Sequence, residues 1–226
     1  MANDPRSFSS IFVTMAQSPA QTRFILIILS LTLIGAGILA FSGYKIPSKI
    51  SSTTNTTNTT MTYPFTDKVT TADITGKQAR ITTKYGDIVF ALDNAEEAPL
   101  ATSSFVYLAK QKFFDGLIWH RVVDNFVIQG GDPTGTGSGG PGYQFADEPV
   151  TQEYTTGTVA MANANDATRG ITGTNGSQFF IVKKDQPTLP KGYTIFGHVT
   201  SGIDVVQKIT QGDKMIKVVI EDLGKK

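Results

Sequence analysis

None of the 226 residues is cysteine, which excludes disulfides, thiolate nucleophiles and cysteine-held zinc or iron–sulfur centres. Histidine occurs only at His120 and His198, too few for a multi-histidine metal centre. A dominant charge sign is missing as well: 20 Lys and Arg stand against 19 Asp and Glu, and from residue 46 onward the numbers are 17 and 18. Phosphate binding needs clustered Lys and Arg, so nucleic acid is excluded as the main partner. There is no Walker loop, no G-x-S-x-G elbow, no His-Glu-x-x-His pair and no internal repeat. What remains is an ordinary globular composition, 40% hydrophobic, long enough for one well-buried domain and additional segments.

Three zones divide the chain. Residues 1–23 are a short polar-mixed segment carrying Arg6 and Arg23. Residues 24–44 are 21 positions without a charge, apolar on every face. As a helix this run would measure ~31 Å, the thickness of a bilayer's hydrocarbon core. It is therefore expected to be a transmembrane helix or signal anchor. A cleaved signal peptide is the other reading, with a small-residue site at Ala40-Phe41-Ser42, although signal peptides usually carry shorter apolar regions. Basic residues flank the run on both sides, so charge alone does not orient it. Residues 45–77 are read as a flexible linker, because residues 50–62 hold eleven Ser, Thr or Asn in thirteen positions. Such an uncharged stalk suits the outer side of a membrane, and Asn55 and Asn58 each head an N-x-T sequon.

The body is expected over residues 78–226. Gln78–Thr83 and Ile88–Leu92 flank Lys84-Tyr85-Gly86-Asp87, a hairpin signal. Pro99 opens a helical pattern, and Ile203–Thr210 is a second short amphipathic helix. Further strand-like runs are Leu117–Val123, Phe126–Gln129, Thr158–Ala162, Gln178–Val182, Thr194–Val199 and Met215–Glu221. Many short strands without βαβ alternation indicate a mainly β domain, an antiparallel barrel or sandwich.

Gly130–Gly142 holds seven glycines in thirteen residues and contains a G-x-G-x-x-G. Pro141 follows it and no apolar helix begins there, so it is a surface loop with positive-φ turns and no dinucleotide site. More informative are polar residues inside apolar strands: Arg121 after Trp119-His120, Gln129 at the end of Phe126-Val127-Ile128, and Gln178 before Phe179-Phe180. Strand alternation sends Trp119, Arg121 and Val123 to one face, and Gln178 and Phe180 to one face. An Arg oriented by amides beside an apolar pocket suits a small apolar group next to a carbonyl or amide.

The stretches Trp119–Pro133, Met161–Ala164, Thr174–Ile181 and Phe196–Val199 are similar, in order, to the cyclophilins, a cyclosporin-binding class of peptidyl-prolyl cis–trans isomerases. The resemblance spans about residues 79–222 and leaves out the apolar run and the linker. It implies a closed eight-stranded antiparallel β-barrel capped by two α-helices, acting as a monomer without metal or cofactor. Its partners would be proline-containing peptides and unfolded protein clients. It also implies that Arg121 is the catalytic arginine, with Gln129 positioning it and Phe126 beside it. Phe126, Val127, Phe180 and Leu189 would line the proline pocket, while Ala162, Asn163, Ala164 and Gln178 would hold the substrate backbone.

Three departures stand out. Thr188 takes the place of a rim Trp, Tyr193 that of a pocket His as in many bacterial-type members, and Asn165–Gly173 is long. Thr188 implies poor inhibition by cyclosporin, and Tyr193 keeps an apolar wall. Rotation needs no proton abstraction, so His120 and His198 are expected to be structural. A catalytically weak proline-peptide binding or chaperone module is the alternative from a different functional class.

Overall fold

The computed structural model describes residues 63–224. The expected membrane segment 24–44 lies outside them; among the described residues no helix is long and apolar enough to cross a membrane. Eleven α-helices and β-strands follow in chain order: α1 (Thr71–Ile74), β1 (Lys77–Thr83), β2 (Gly86–Ala91), α2 (Pro99–Lys110), β3 (Arg121–Val123), β4 (Val127–Gly130), β5 (Thr158–Met161), β6 (Phe179–Val182), β7 (Ile195–Ser201), α3 (Ile203–Lys208) and β8 (Lys217–Asp222). One 3-10 turn (Ala167–Arg169) lies between β5 and β6. All eight expected strands and both expected helices are present, with ends shifted by a few residues.

The first hairpin forms where its turn residues predict. β1 and β2 pair with Thr83 opposite Gly86, so Lys84 and Tyr85 make a two-residue loop, and Gly86 sits at φ +120°. Pro99 occupies the first turn of α2, where its missing N–H leaves no helical bond unmade. The free N–H groups of Leu100 and Ala101 donate to Glu148 at 2.7 and 2.9 Å.

All eight strands join one antiparallel sheet in the order β3-β4-β6-β5-β7-β2-β1-β8. β3 and β8 are its ends, and no ladder joins them. A short bridge ties the ends instead: Ile118 faces Lys214, Trp119 N–H donates to Asp213 O, and Met215 N–H donates to Leu117 O. The expected closed barrel is therefore a curled eight-stranded sheet. The cause lies in Leu117–His120, which leave strand geometry at the seam and shorten β3 to three residues. The same break overturns the expected alternation: Trp119 is fully buried, whereas Arg121 and Val123 face outward.

Both faces of the central strands are covered. Ile128, Val159 and Ile181 pack inside the curl with Phe90, Phe105, Phe114, Trp119 and Phe179. Val127, Ala160, Phe180 and Val182 form a second, smaller cluster on the opposite face, with Tyr154 and Ile195. Every residue of β5 and β6 is accordingly buried.

The folded domain begins before the expected boundary at residue 78. Residues 63–77, read as flexible, are folded: Phe65 and Ile74 are buried, and Asp73 closes a capping box on Thr70. The signal was diluted by the Thr-rich run before it. α1 adds a third helix to the two expected.

Phe179 packs its ring at 5.4–6.4 Å from Phe105, Phe114, Trp119 and Phe196. Truncating it empties the centre of the core, so Phe179→Ala is expected to cost about 3–5 kcal/mol. A lower urea midpoint at unchanged slope, read from the fluorescence of the single tryptophan, checks this.

Candidate active site

Register assembles the site. Arg121 lies opposite Gln129 in the β3–β4 pair, Gln129 opposite Phe180 in β4–β6, and Phe180 opposite Ala160 in β5–β6. Directly opposed residues of neighbouring strands point to the same face. One row across four strands therefore sets a guanidinium, an amide, an aromatic ring and a methyl side by side. The next row contributes Val127 and Val182, which face each other.

Above these rows opens a cavity of about 360 Å³ lined by Arg121, Phe126, Val127, Gln129, Phe180 and Leu189, with Tyr193, Ala162 and Asn163 completing it. An adjoining cleft of about 840 Å³ shares Gln129, Ala162 and Asn163 with the first, and adds Ala164, Gln178, Thr174 and Tyr143. All eleven residues predicted for the site thus line one cavity or the other. The Asn163 backbone has no hydrogen-bond partner among the described residues, which leaves an N–H and a C=O at the junction. His120 and His198 line neither.

Each side chain is held from behind. Arg121, exposed, reaches Gln129 Oε1 at 3.4 Å and lies 5.4 Å from the Phe126 ring centre. Gln129 Nε2 donates to Gln178 Oε1 at 3.0 Å, and Gln178 Nε2 donates to the carbonyls of Gly137 and Gly139 at 2.9 Å each. A polar chain thus runs from the glycine-rich loop to the guanidinium, and it fixes the amide orientation at both glutamines. Phe126 follows the β3–β4 turn, where Asn125 takes φ +58°. The buried Lys183 side chain ties that turn down through Asp124 at 2.9 Å.

Two residues that the sequence reading passed over organise the walls. Asp132, 1% exposed, accepts five hydrogen bonds: from the N–H and hydroxyl of Thr134 and from the N–H groups of Thr136, Gly137 and Gly139. Burial alone would raise its pKa; the donors outweigh burial and hold it well below the usual carboxylate range. A Cβ on Gly139 would fall 2.0 Å from Asp132 Oδ1, so the loop needs glycine there for close approach. The Asp-x-Thr spacing was a legible turn signal. Tyr154, fully buried, donates its hydroxyl to Tyr193 O at 3.0 Å and accepts from Tyr193 N–H at 2.9 Å. That clamp turns the Tyr193 ring edge-on to Phe180 at 5.5 Å. Nothing local in sequence signals a contact across 39 positions.

His120 is half-buried outside any strand, and neither ring nitrogen has a hydrogen-bond partner. Desolvation pushes its pKa below the ordinary histidine value. His198, in β7, pairs with Asp93 at 3.1 Å. Among the described residues no cluster of His, Asp or Glu is placed to hold a metal.

The arrangement offers an apolar cup beside one oriented cation, with no nucleophile poised against a base. It can grip a small ring and direct N–H groups at an adjacent amide. The family model described as "Cyclophilin type peptidyl-prolyl cis-trans isomerase/CLD" matches residues 78–224. Peptidyl-prolyl cis-trans isomerase B of Bacillus subtilis is 44% identical over 128 residues, covering 56% of this chain and 85% of that one. The crystal structure of a cyclophilin type peptidyl-prolyl cis-trans isomerase of Cryptosporidium parvum superposes with a TM-score of 0.58 at 32% identity, covering 65% of this chain and 98% of that one. A second crystal structure of that protein, in the presence of the dipeptide Ala-Pro, gives a TM-score of 0.54 at 34% identity, covering 64% and 96%. The chain belongs to the cyclophilin-type peptidyl-prolyl cis–trans isomerases.

Asp132 supplies stability that depends on pH. Its folded pKa lies below the unfolded value, so that stability is present above about pH 4 and is lost as pH falls further. Asp132→Asn is expected to lower stability by about 2–3 kcal/mol at neutral pH. The gap to wild type should narrow in denaturant titrations carried below pH 4.

Proposed function

We propose that the chain speeds rotation about X–Pro bonds of peptides and unfolded clients, with proline in the 360 Å³ cavity and the preceding residues in the adjoining cleft. The observation that carries this reading is the row Arg121–Gln129–Phe180, a cation and an apolar floor held in register. Amide resonance sets a barrier of ~18–20 kcal/mol to the rotation. Phe126, Val127, Phe180 and Leu189 hold the ring, with Tyr193 as the far wall. Ala162, Asn163, Ala164 and Gln178 hold the backbone before it, the free N–H and C=O of Asn163 pairing with a peptide strand. One part of the substrate then turns against the other.

The Arg121 N–H groups face the prolyl nitrogen. As the bond twists, that nitrogen loses conjugation and gains a localised lone pair. The hydrogen bond therefore strengthens toward the transition state, which is where binding raises rate. Gln129 keeps the guanidinium aimed, and Phe126 supports its plane. No bond breaks, so no proton, metal or cofactor is required.

The second part of the proposal concerns place. Residues 24–44 anchor the chain in a membrane and the isomerase domain lies on its outer side, with residues 45–62 as the tether. Length, apolarity and the uncharged Thr/Asn stalk support this. The domain is proposed to act as a monomer of the bacterial type, Tyr193 being the supporting feature.

Two measurements test these readings. Arg121→Ala is expected to lower kcat/KM for an Ala-Pro peptide ~10²–10³-fold, and Arg121→Lys should recover little, lacking the planar fork. Arg121 is exposed, so the urea midpoint should stay put; peptide binding without turnover in wild type would point to a silent binding module. For location, protease added to intact cells should degrade the domain, and deletion of residues 24–44 should release it from the membrane fraction; a protected domain contradicts the outward placement.

A further inference from the structure

The segment that joins the domain to residues 1–62 is wedged behind the wall of the second cleft. Tyr63 stacks on Phe65 at 5.3 Å, and Phe65, 2% exposed, meets Tyr143 at 5.7 Å, Phe145 at 5.9 Å and Tyr107 at 6.5 Å. Tyr63 Oη also accepts from Ala146 N–H at 3.3 Å. The segment is a closed hook: Thr66 N–H and hydroxyl both donate to Tyr63 O, and Val69 N–H donates to Phe65 O. An ion pair between Asp73 and Lys110 fastens α1, which follows it, to α2. The hook and α1 precede the span that the family model matches.

Tyr143 joins the hook to the cleft. One side of it rests on Phe65, and it also lines the 840 Å³ cleft, between the glycines of the loop and Gln144. Its hydroxyl pairs with Ser104 on α2 at 2.9 Å, so the ring is pinned at its tip and propped from behind. We propose that Phe65 is a positioning residue for substrate selection: the hook props Tyr143 and so fixes the width of the cleft that receives the residues preceding proline. This rests on the assignment of that cleft to the peptide's upstream residues. Removing the prop lets Tyr143 settle into the vacated space, so that the wall it contributes recedes and the cleft accepts larger upstream side chains.

The test uses the full chain in detergent and two proline peptides that differ only in the second residue before proline, glycine or phenylalanine. A third, shorter peptide starts at the residue before proline. In Phe65→Ala the ratio of kcat/KM for the phenylalanine peptide over the glycine peptide is expected to rise about fivefold through KM, with the short peptide unchanged to about twofold. Phe65→Leu should move the ratio the same way by less; it takes over if the alanine variant does not fold. A purely structural role would lower all three rates together or none, and either result overturns the inference. Arg121→Ala run alongside separates the two levels. Rates that depend on Arg121 with an unmoved ratio sink the role of Phe65 alone, whereas rates indifferent to Arg121 sink the site assignment and this inference with it.

Discussion

A slip of β4 by one residue against β6 would turn Gln129 into the curl of the sheet and bring Ile128 out beside Phe180. Almost everything at the site depends on that register. It is held from inside by Ile128, Ile181 and Val159. At the end of β4 it is held by a close approach: a Cβ on Gly131 would meet Ser177 O at 2.2 Å, and Ser177 Oγ donates to Gly131 O at 2.6 Å. With the register set, the row from Arg121 to Ala160 follows without further adjustment.

A sheet buried on both faces is what makes such a row useful. The inner face supplies the stability of the domain, and the smaller outer cluster serves as the floor of a pocket. Polar groups at its margin are expensive unless satisfied, and the amides of Gln129 and Gln178 are each satisfied by a neighbour whose own partner is fixed. The chain Asp132, loop carbonyls, Gln178, Gln129, Arg121 starts in a buried carboxylate and ends at an exposed guanidinium. Rigidity is thus passed outward to the guanidinium proposed to meet the prolyl nitrogen.

Much of this was legible in the sequence. Pro99, the Lys84-Tyr85-Gly86-Asp87 turn and the period-two runs mark the helix start, the first hairpin and the strands. Arg121, Gln129 and Gln178 stand out because each is polar beside apolar or aromatic neighbours. Three features were not legible. Trp119 reverses its face because the strand breaks at His120, and periodicity assumes an unbroken strand. The Tyr154–Tyr193 clamp joins positions far apart in the chain, which no local pattern reports. The hook at Tyr63–Phe65 sits directly after a Thr/Asn-rich run, so composition averaged over the segment hides two buried or half-buried rings.

The central claim is that Arg121 acts through an orientation imposed by Gln129 and Gln178. A double-mutant cycle on cis-to-trans relaxation of an Ala-Pro peptide, with Gln129→Ala, Arg121→Ala and both together, tests it most directly. Gln129→Ala should slow catalysis markedly while Arg121 is present and add almost nothing once Arg121 is gone. Effects that multiply independently would contradict the account, because the two residues would then act separately.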